Sequence, residues 1–185
     1  MFKLVEVEDI VRIPPAKFNE NLEEVATEIL RSKYSGAIIP EIGLIISILD
    51  VKVSPRGKII PRDPASYHKT VFKVLAFQPL LREVVEGEVI SVEDIGIFVR
   101  IGPVDGFVHR SQIANDRFTV DRKQGVMVGQ KTKRTIAKGD RVRARIIQVS
   151  MESSAGRGIR VGLTMNQPYL GKIEWIEKTT TKKKK

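Results

Sequence analysis

One stretch of this chain keeps a helical period, and almost everything around it is written in β. From Phe18 the apolar positions are 18, 22, 25, 26, 29 and 30, the three-to-four spacing of a single helical face. Glu20, Glu23, Glu24 and Glu28 take the other face, and Arg31 and Lys33 lie near the C-terminal end, where the helix dipole favours cations. Pro14-Pro15 suits the start, because a first helical turn has no use for those amide donors, and Ser35-Gly36 suits the stop. A helix with one apolar face needs a sheet to cover it, and strands are at hand on both sides. Residues 2–13 alternate apolar and polar side chains. Residues 37–53 hold two β-rich runs around Pro40-Glu41-Ile42-Gly43, whose Pro and Gly suit a hairpin tip. Residues 58–61 read as a short strand, 62–66 as a loop and 67–77 as a strand. The expectation for residues 1–80 is a strand–helix–strand–strand–strand unit of the α+β class.

The second half reads as all β. Residues 88–94 and 95–101 are two strands, or one long strand bent at Gly96, and 107–109 follow a Gly-Pro turn. Residues 111–138 form a long polar insertion with room for a small hairpin at 118–120 and 126–128. Arg141, Arg143 and Arg145 alternate with apolar residues at the start of the next strand, and 159–164 make the last. Five short strands with Gly turns suit a small barrel of the oligonucleotide/oligosaccharide-binding type.

The charge is lopsided. Of 32 Lys+Arg and 22 Asp+Glu, residues 1–80 hold 11 and 10, leaving 21 and 12 for 81–185. Residues 178–185 supply five of those lysines and read as a disordered tail after a barrel domain at 81–177. A basic half suggests a polyanion as partner, through counterion release, or simply a soluble basic surface. The absence of Cys excludes disulfides and thiolate chemistry. His68 and His109 fall in different halves, so no metal site assembles from them. No phosphate-binding Gly loop, nucleophile or acid–base pair can be put together, which predicts a protein with neither catalytic residues nor a cofactor. The longest apolar stretch, 42–53, is interrupted by polar residues and too short to span a bilayer, and the first residues do not form a signal peptide; a cytoplasmic location with no membrane partner is expected.

The sequence from Gly87 to Ile101, then Gly106-Phe107-Val108-His109-Arg110-Ser111-Gln112-Ile113, then Gly139-Asp140-Arg141-Val142 and Ile159-Arg160-Val161-Gly162-Leu163-Thr164, resembles an S1 RNA-binding domain. The resemblance implies an RNA-facing surface made by Phe98, Phe107 and His109. Flat rings stack on unpaired bases whatever the base, and Arg100, Arg110, Arg141, Arg143, Arg145 and Arg160 are candidates to neutralise phosphates. Read from the residues alone, Phe98 and Phe107 are equally barrel core, His109 a turn-capping residue and the three alternating arginines a solvated face. Ile95 stands where many such domains carry a second aromatic, and Ser150 where an Asp is common.

The N-terminal half extends the resemblance to nearly the whole chain. Met1-Phe2 leading into a strand, the Pro14-Pro15 helix ending at Tyr34-Ser35-Gly36, the hairpin 39–45, Phe72-Lys73-Val74-Leu75-Ala76-Phe77-Gln78-Pro79 and Pro168-Tyr169-Leu170-Gly171 are similar to the E-prime family of archaeal RNA polymerase subunits, counterparts of the seventh subunit of eukaryotic RNA polymerase II. That family implies a truncated ribonucleoprotein-like N-terminal domain and a heterodimer with a small partner, the polymerase's F subunit, packed along both domains. The pair forms a non-catalytic stalk. Its hairpin tip, here Ile39, Pro40, Glu41, Ile42 and Gly43, docks on the core polymerase beside the clamp, with Ile42 expected as an exposed apolar contact and Ile39 and Leu44 equally suited to closing the domain's own core. The S1 barrel then meets single-stranded nascent RNA. A free-standing S1 protein of the ribosome or exosome is the alternative reading.

Overall fold

The computed structural model describes residues 1–121, 125–151 and 158–182. They form two compact units, the first spanning Met1–Gln78 and the second beginning at Pro79.

In the first unit the order is β1 (Phe2–Ile13), α1 (Leu22–Tyr34), β2 (Ile38–Ile39), β3 (Gly43–Val53), β4 (Lys58–Ile60) and β5 (Asp63–Phe77). The strands make one antiparallel sheet in the order β1-β5-β3-β2, with β4 also on β5. Helix α1 buries Val25, Ala26 and Leu30 in a core with Val11, Ile13, Ile45, Ile48, Phe72 and Val74, so the sheet covers the face that the periodicity marks. The helix starts later than its apolar spacing suggests. Asn21 is the cap, accepting from the amides of Glu23 at 2.9 Å and Glu24 at 3.3 Å. Pro15–Lys17 is a separate 3-10 turn, and Phe18 is half exposed. Residues 63–66, read as loop, belong to β5. There Asp63 accepts from Arg12 through both carboxylate oxygens at 2.8 Å and from the Tyr67 hydroxyl at 2.6 Å, fastening β5 to β1.

The second unit runs β6 (Val84–Glu93), β7 (Gly96–Arg100), β8 (Asp105–His109), β9 (Phe118–Asp121), β10 (Val126–Gly129), β11 (Thr135–Ala137), β12 (Arg141–Met151), β13 (Ile159–Thr164), β14 (Gly171–Lys172) and α2 (Ile173–Lys182). Strands β12, β6, β7, β8 and β13 pair in succession, and β13 pairs back onto β12, which closes a five-stranded barrel. The β8–β13 pairing is parallel, with Gly106 opposite Val161 and Val108 opposite Leu163. Val89, Ile97, Val99, Val108, Val142, Ala144, Ile146 and Leu163 fill the interior. Thus the α+β unit followed by an all-β S1-type barrel is the architecture the sequence predicts.

Two parts differ from the sequence reading. The insertion is a three-stranded sheet, β11-β10-β9, and its Phe118, Met127 and Ile136 are fully buried in the same core as the barrel. Beyond Thr164, β14 pairs with the start of β12 and α2 follows, with Trp175 packed on the core and the Arg134 guanidinium 5.2 Å from its ring centre. Helix α2 takes in the first five residues of the segment read as a disordered tail; 183–185 lie outside the described residues.

Gly43, the first residue of β3, has φ +96°, and a Cβ there would lie 2.4 Å from the Phe77 carbonyl oxygen. Gly43→Ala is therefore expected to destabilise the fold by about 2 kcal/mol, read as a lower midpoint in urea unfolding at unchanged slope.

Candidate nucleic-acid interface

The barrel interior decides what faces out. On β7, Ile97 and Val99 are buried and Phe98 and Arg100 point the other way; on β8, Val108 is buried and Phe107 and His109 are outside. Phe98 and Phe107 are direct cross-strand partners. Their ring centroids are 5.1 Å apart with planes inclined at 49°, and His109 follows 6.4 Å beyond Phe107. Both phenylalanines are half-buried at the outer surface, so the core reading of them is set aside.

Small residues leave these rings open. A Cβ on Gly96 would lie 2.8 Å from Phe107 Cζ, so the ring occupies the space that Gly96 vacates. The outward row across the barrel is Ser91, Phe98, Phe107, Gly162 and Gln148, each the registered partner of the next. Ser91, Gly96, Gly162 and Gln148 are missing from the sequence-derived set; their signal lies in strand register, which spacing along one strand does not disclose.

His109 also has a capping role. Its Nδ1 accepts from the Ser111 amide at 3.3 Å and lies 2.8 Å from Ser111 Oγ, at the head of the 3-10 turn Arg110–Gln112. With Nδ1 an acceptor, a neutral ring carries its proton on Nε2.

The arginines divide. Arg141, Glu88, Arg100 and Asp105 form a second outward row, each paired in register with the next, in which cations and carboxylates alternate. Arg100 Nε reaches Asp105 at 3.4 Å. Arg143 donates twice to Glu86 Oε1, at 2.9 and 2.8 Å, and Arg141 reaches the other Glu86 oxygen at 3.4 Å. Arg145 is half-buried, its Nε enclosed without a hydrogen-bond partner. Arg141, Arg143 and Arg145 therefore belong to a face with its own carboxylates, while Arg160, exposed on β13 two residues before Gly162, flanks the aromatic row, and Arg110 lies past His109.

The hairpin tip of the first unit is more closed than expected. Ile39 and Ile42 pack against the core, Gly43 is buried, and only Pro40 and Glu41 are exposed. Ile42 is half-buried, so the tip exposes Pro40 and Glu41 and part of the Ile42 side chain. Lys3 Nζ donates to the Glu41 carbonyl at 3.0 Å and to Gln78 Oε1 at 2.6 Å, while Gln78 Nε2 lies 3.5 Å from the Pro40 carbonyl. The turn is gripped from β1 and from the end of β5.

Residues 8–64 match the SHS2 domain found in the N terminus of Rpb7p/Rpc25p/MJ0397, and residues 81–157 match the S1 RNA binding domain. Together with the barrel, this defines the class: a two-domain protein that joins an SHS2 unit of the Rpb7 type to an S1 RNA-binding unit. DNA-directed RNA polymerase subunit Rpo7 of Sulfolobus acidocaldarius is 49% identical over 185 residues, covering 100% of both chains. The Saccharolobus solfataricus subunit of that name is 48% identical over 179 residues, 97% of this chain and 99% of its own. RNA polymerase III subunit RPC8 of Saccharomyces cerevisiae is 37% identical over 105 residues, 53% of this chain and 50% of its own. The chain belongs to the Rpo7 family of DNA-directed RNA polymerase subunits. Among the described residues no helix is long and apolar enough to cross a membrane.

Past His109, Asp116 ties two turns together. Its Oδ1 accepts from the amides of Arg117 at 2.6 Å and Lys131 at 3.1 Å, and its Oδ2 from the Thr132 amide at 2.8 Å and hydroxyl at 2.6 Å. The Thr132 hydroxyl and amide, then the other two amides, hold this carboxyl well below the usual carboxylate range. A depressed folded-state value means that the stabilisation is complete above the unfolded value of 3.8 and is lost as pH falls below it. Asp116→Asn is thus expected to lower the melting temperature at pH 7, with the gap to the native chain narrowing on acidification below about pH 4.

Proposed function

We propose that this chain is a non-catalytic stalk subunit that docks on core RNA polymerase near its clamp through the hairpin tip, pairs with the small F subunit and holds emerging single-stranded RNA on its barrel. The observation that carries the RNA reading is the outward pair Phe98 and Phe107, set directly opposite each other and followed by His109. Two rings side by side on a barrel wall offer stacking to successive bases without base selection, at about 1–3 kcal/mol per base. Membership of the Rpo7 family favours the polymerase over a ribosome or exosome as the setting.

Docking is supported by the tip itself. Pro40 and Glu41 project from a turn whose carbonyls are held by Lys3 and Gln78, so the shape is present before any partner arrives. A surface for the small partner is supported by β1, where Phe2 and Leu4 are 57% and 63% exposed on the side of the sheet away from α1, large apolar groups that a lone soluble chain has reason to cover. A subunit of the cytoplasmic transcription machinery fits these features.

Replacing Phe98 and Phe107 together by Ala is expected to weaken binding of single-stranded RNA by at least about tenfold in a filter-binding assay, with recovery of polymerase subunits on the tagged chain unchanged. Native RNA affinity in a folded double variant would overturn the stacking assignment. Glu41→Lys is expected to do the converse, lowering polymerase recovery while RNA binding persists; undiminished recovery would remove the tip from the docking surface.

A further inference from the structure

A basin of about 860 Å³ opens beyond His109, between the 3-10 turn at Arg110 and the sheet β9–β11. Its size falls within the ~300–1,000 Å³ of pockets that enclose small ligands. Three cations line it, Arg110, Arg117 and Lys131, with the amides of Asn115 and Gln130 and the hydroxyl of Ser111. The one carboxylate among the described residues of the lining is Asp116, whose two oxygens accept four hydrogen bonds from the surrounding turns. Its lone pairs are therefore taken up by the walls, and the lining cations outnumber its single negative charge.

The walls are fixed without a ligand. Phe118 and Met127, on the strands beside the basin, are buried in the barrel core. Gly129 lets the turn after β10 approach Asp116, since a Cβ there would lie 2.6 Å from Asp116 Oδ2. The basin is also continuous with the stacking row. Phe98 touches Phe107, Phe107 meets the His109 ring, and His109 is bonded to Ser111, which lines the basin.

We propose that this basin is a second RNA subsite, holding a nucleotide of the strand stacked on Phe98 and Phe107, with phosphates on Arg110, Arg117 and Lys131 and the base edge against Asn115 and Gln130. The inference rests on the RNA reading of the barrel and deepens it. Rings accept any base, whereas side-chain amides pair with particular donors and acceptors on a base edge. The platform supplies affinity that is tolerant of sequence, and the basin adds charge and a means of selection. Because the cations of the Arg141–Glu88–Arg100–Asp105 row alternate with carboxylates, the salt dependence of RNA binding is assigned mainly to the basin.

The test uses the full chain and fluorescein-labelled single-stranded RNAs of about 4 and about 12 nucleotides, the short one long enough for the platform and the long one for both subsites. Anisotropy is followed over a range of salt. Arg117→Gln combined with Lys131→Gln is expected to weaken the long RNA about tenfold and to reduce its salt slope by about 1.4, two phosphates at about 0.7 each. The short RNA should bind as before, and the charge-retaining pair Arg117→Lys with Lys131→Arg should keep the native slope. An unchanged long-RNA slope, with binding still lost on replacing Phe98 and Phe107 by Ala, would overturn the basin and leave the platform standing. Absence of RNA binding by the native chain would overturn both. Uridine monophosphate serves as the second arm. If it binds the native chain as tightly as the long RNA and the Gln pair abolishes that binding, the basin is a free-nucleotide site and the strand subsite falls.

Discussion

A small closed barrel must be filled by one face of each of its strands, and what this chain displays to the solvent follows from that demand. Ile97, Val99 and Val108 are buried inside, so Phe98, Arg100, Phe107 and His109 have nowhere to go but out. Pairing β8 with β13 in parallel then brings Gly162 beside Phe107, and closure onto β12 adds Gln148. The surface row is a by-product of register, and a one-residue slip in either strand would bury the rings and expose the core. Gly96 has a part in both, since it admits the Phe107 ring on the outside and lies 2.2 Å, at its missing Cβ, from the Val108 carbonyl oxygen.

The two outward rows of the barrel are chemically unlike although they lie on the same strands. One runs through rings, glycine and neutral side chains; the other alternates arginine with carboxylate. Cross-strand opposite charges stabilise a sheet modestly, and the carboxylates reduce what those arginines offer to a polyanion. Basic composition is therefore a poor guide to where an anion would rest on this domain. The basin past His109 combines cations with a carboxylate already committed to its own turns, and its charge is the more available.

Much of the fold is legible because it rests on short-range pattern. The α1 face, the hairpin around residues 40–43 and the alternation of β1 and β12 each follow from residues a few positions apart. The helix start is harder to place, because Phe18 happens to fit the apolar period while Asn21 supplies the cap. The α2 segment escapes pattern reading because its apolar residues, Ile173, Trp175 and Ile176, are too few to establish a period before a polar run. At the candidate site, Phe98, Phe107 and His109 are legible from the S1-like pattern. The residues around them are not, because Gly162 and Gln148 reach the row only through pairings between distant strands. The half-burial of Ile42 is illegible for a related reason, since how far a turn residue leans onto the core depends on tertiary packing.

The sheet β9–β11 has a consequence for how the barrel forms. The parallel pairing of β8 with β13 joins Gly106 to Val161, and bringing such distant segments together costs chain entropy that grows with the length of slack chain between them. Three strands that are near neighbours in sequence take up part of that slack locally, and their buried Phe118, Met127 and Ile136 give the collapsing chain an apolar surface to gather on. An early-formed hairpin in this region would shorten the effective loop before the barrel closes, easing the slow search that long-range pairing otherwise imposes. The segment that lines the basin would then also act as a splint during assembly, so that substitutions there alter the rate of folding along with the finished surface.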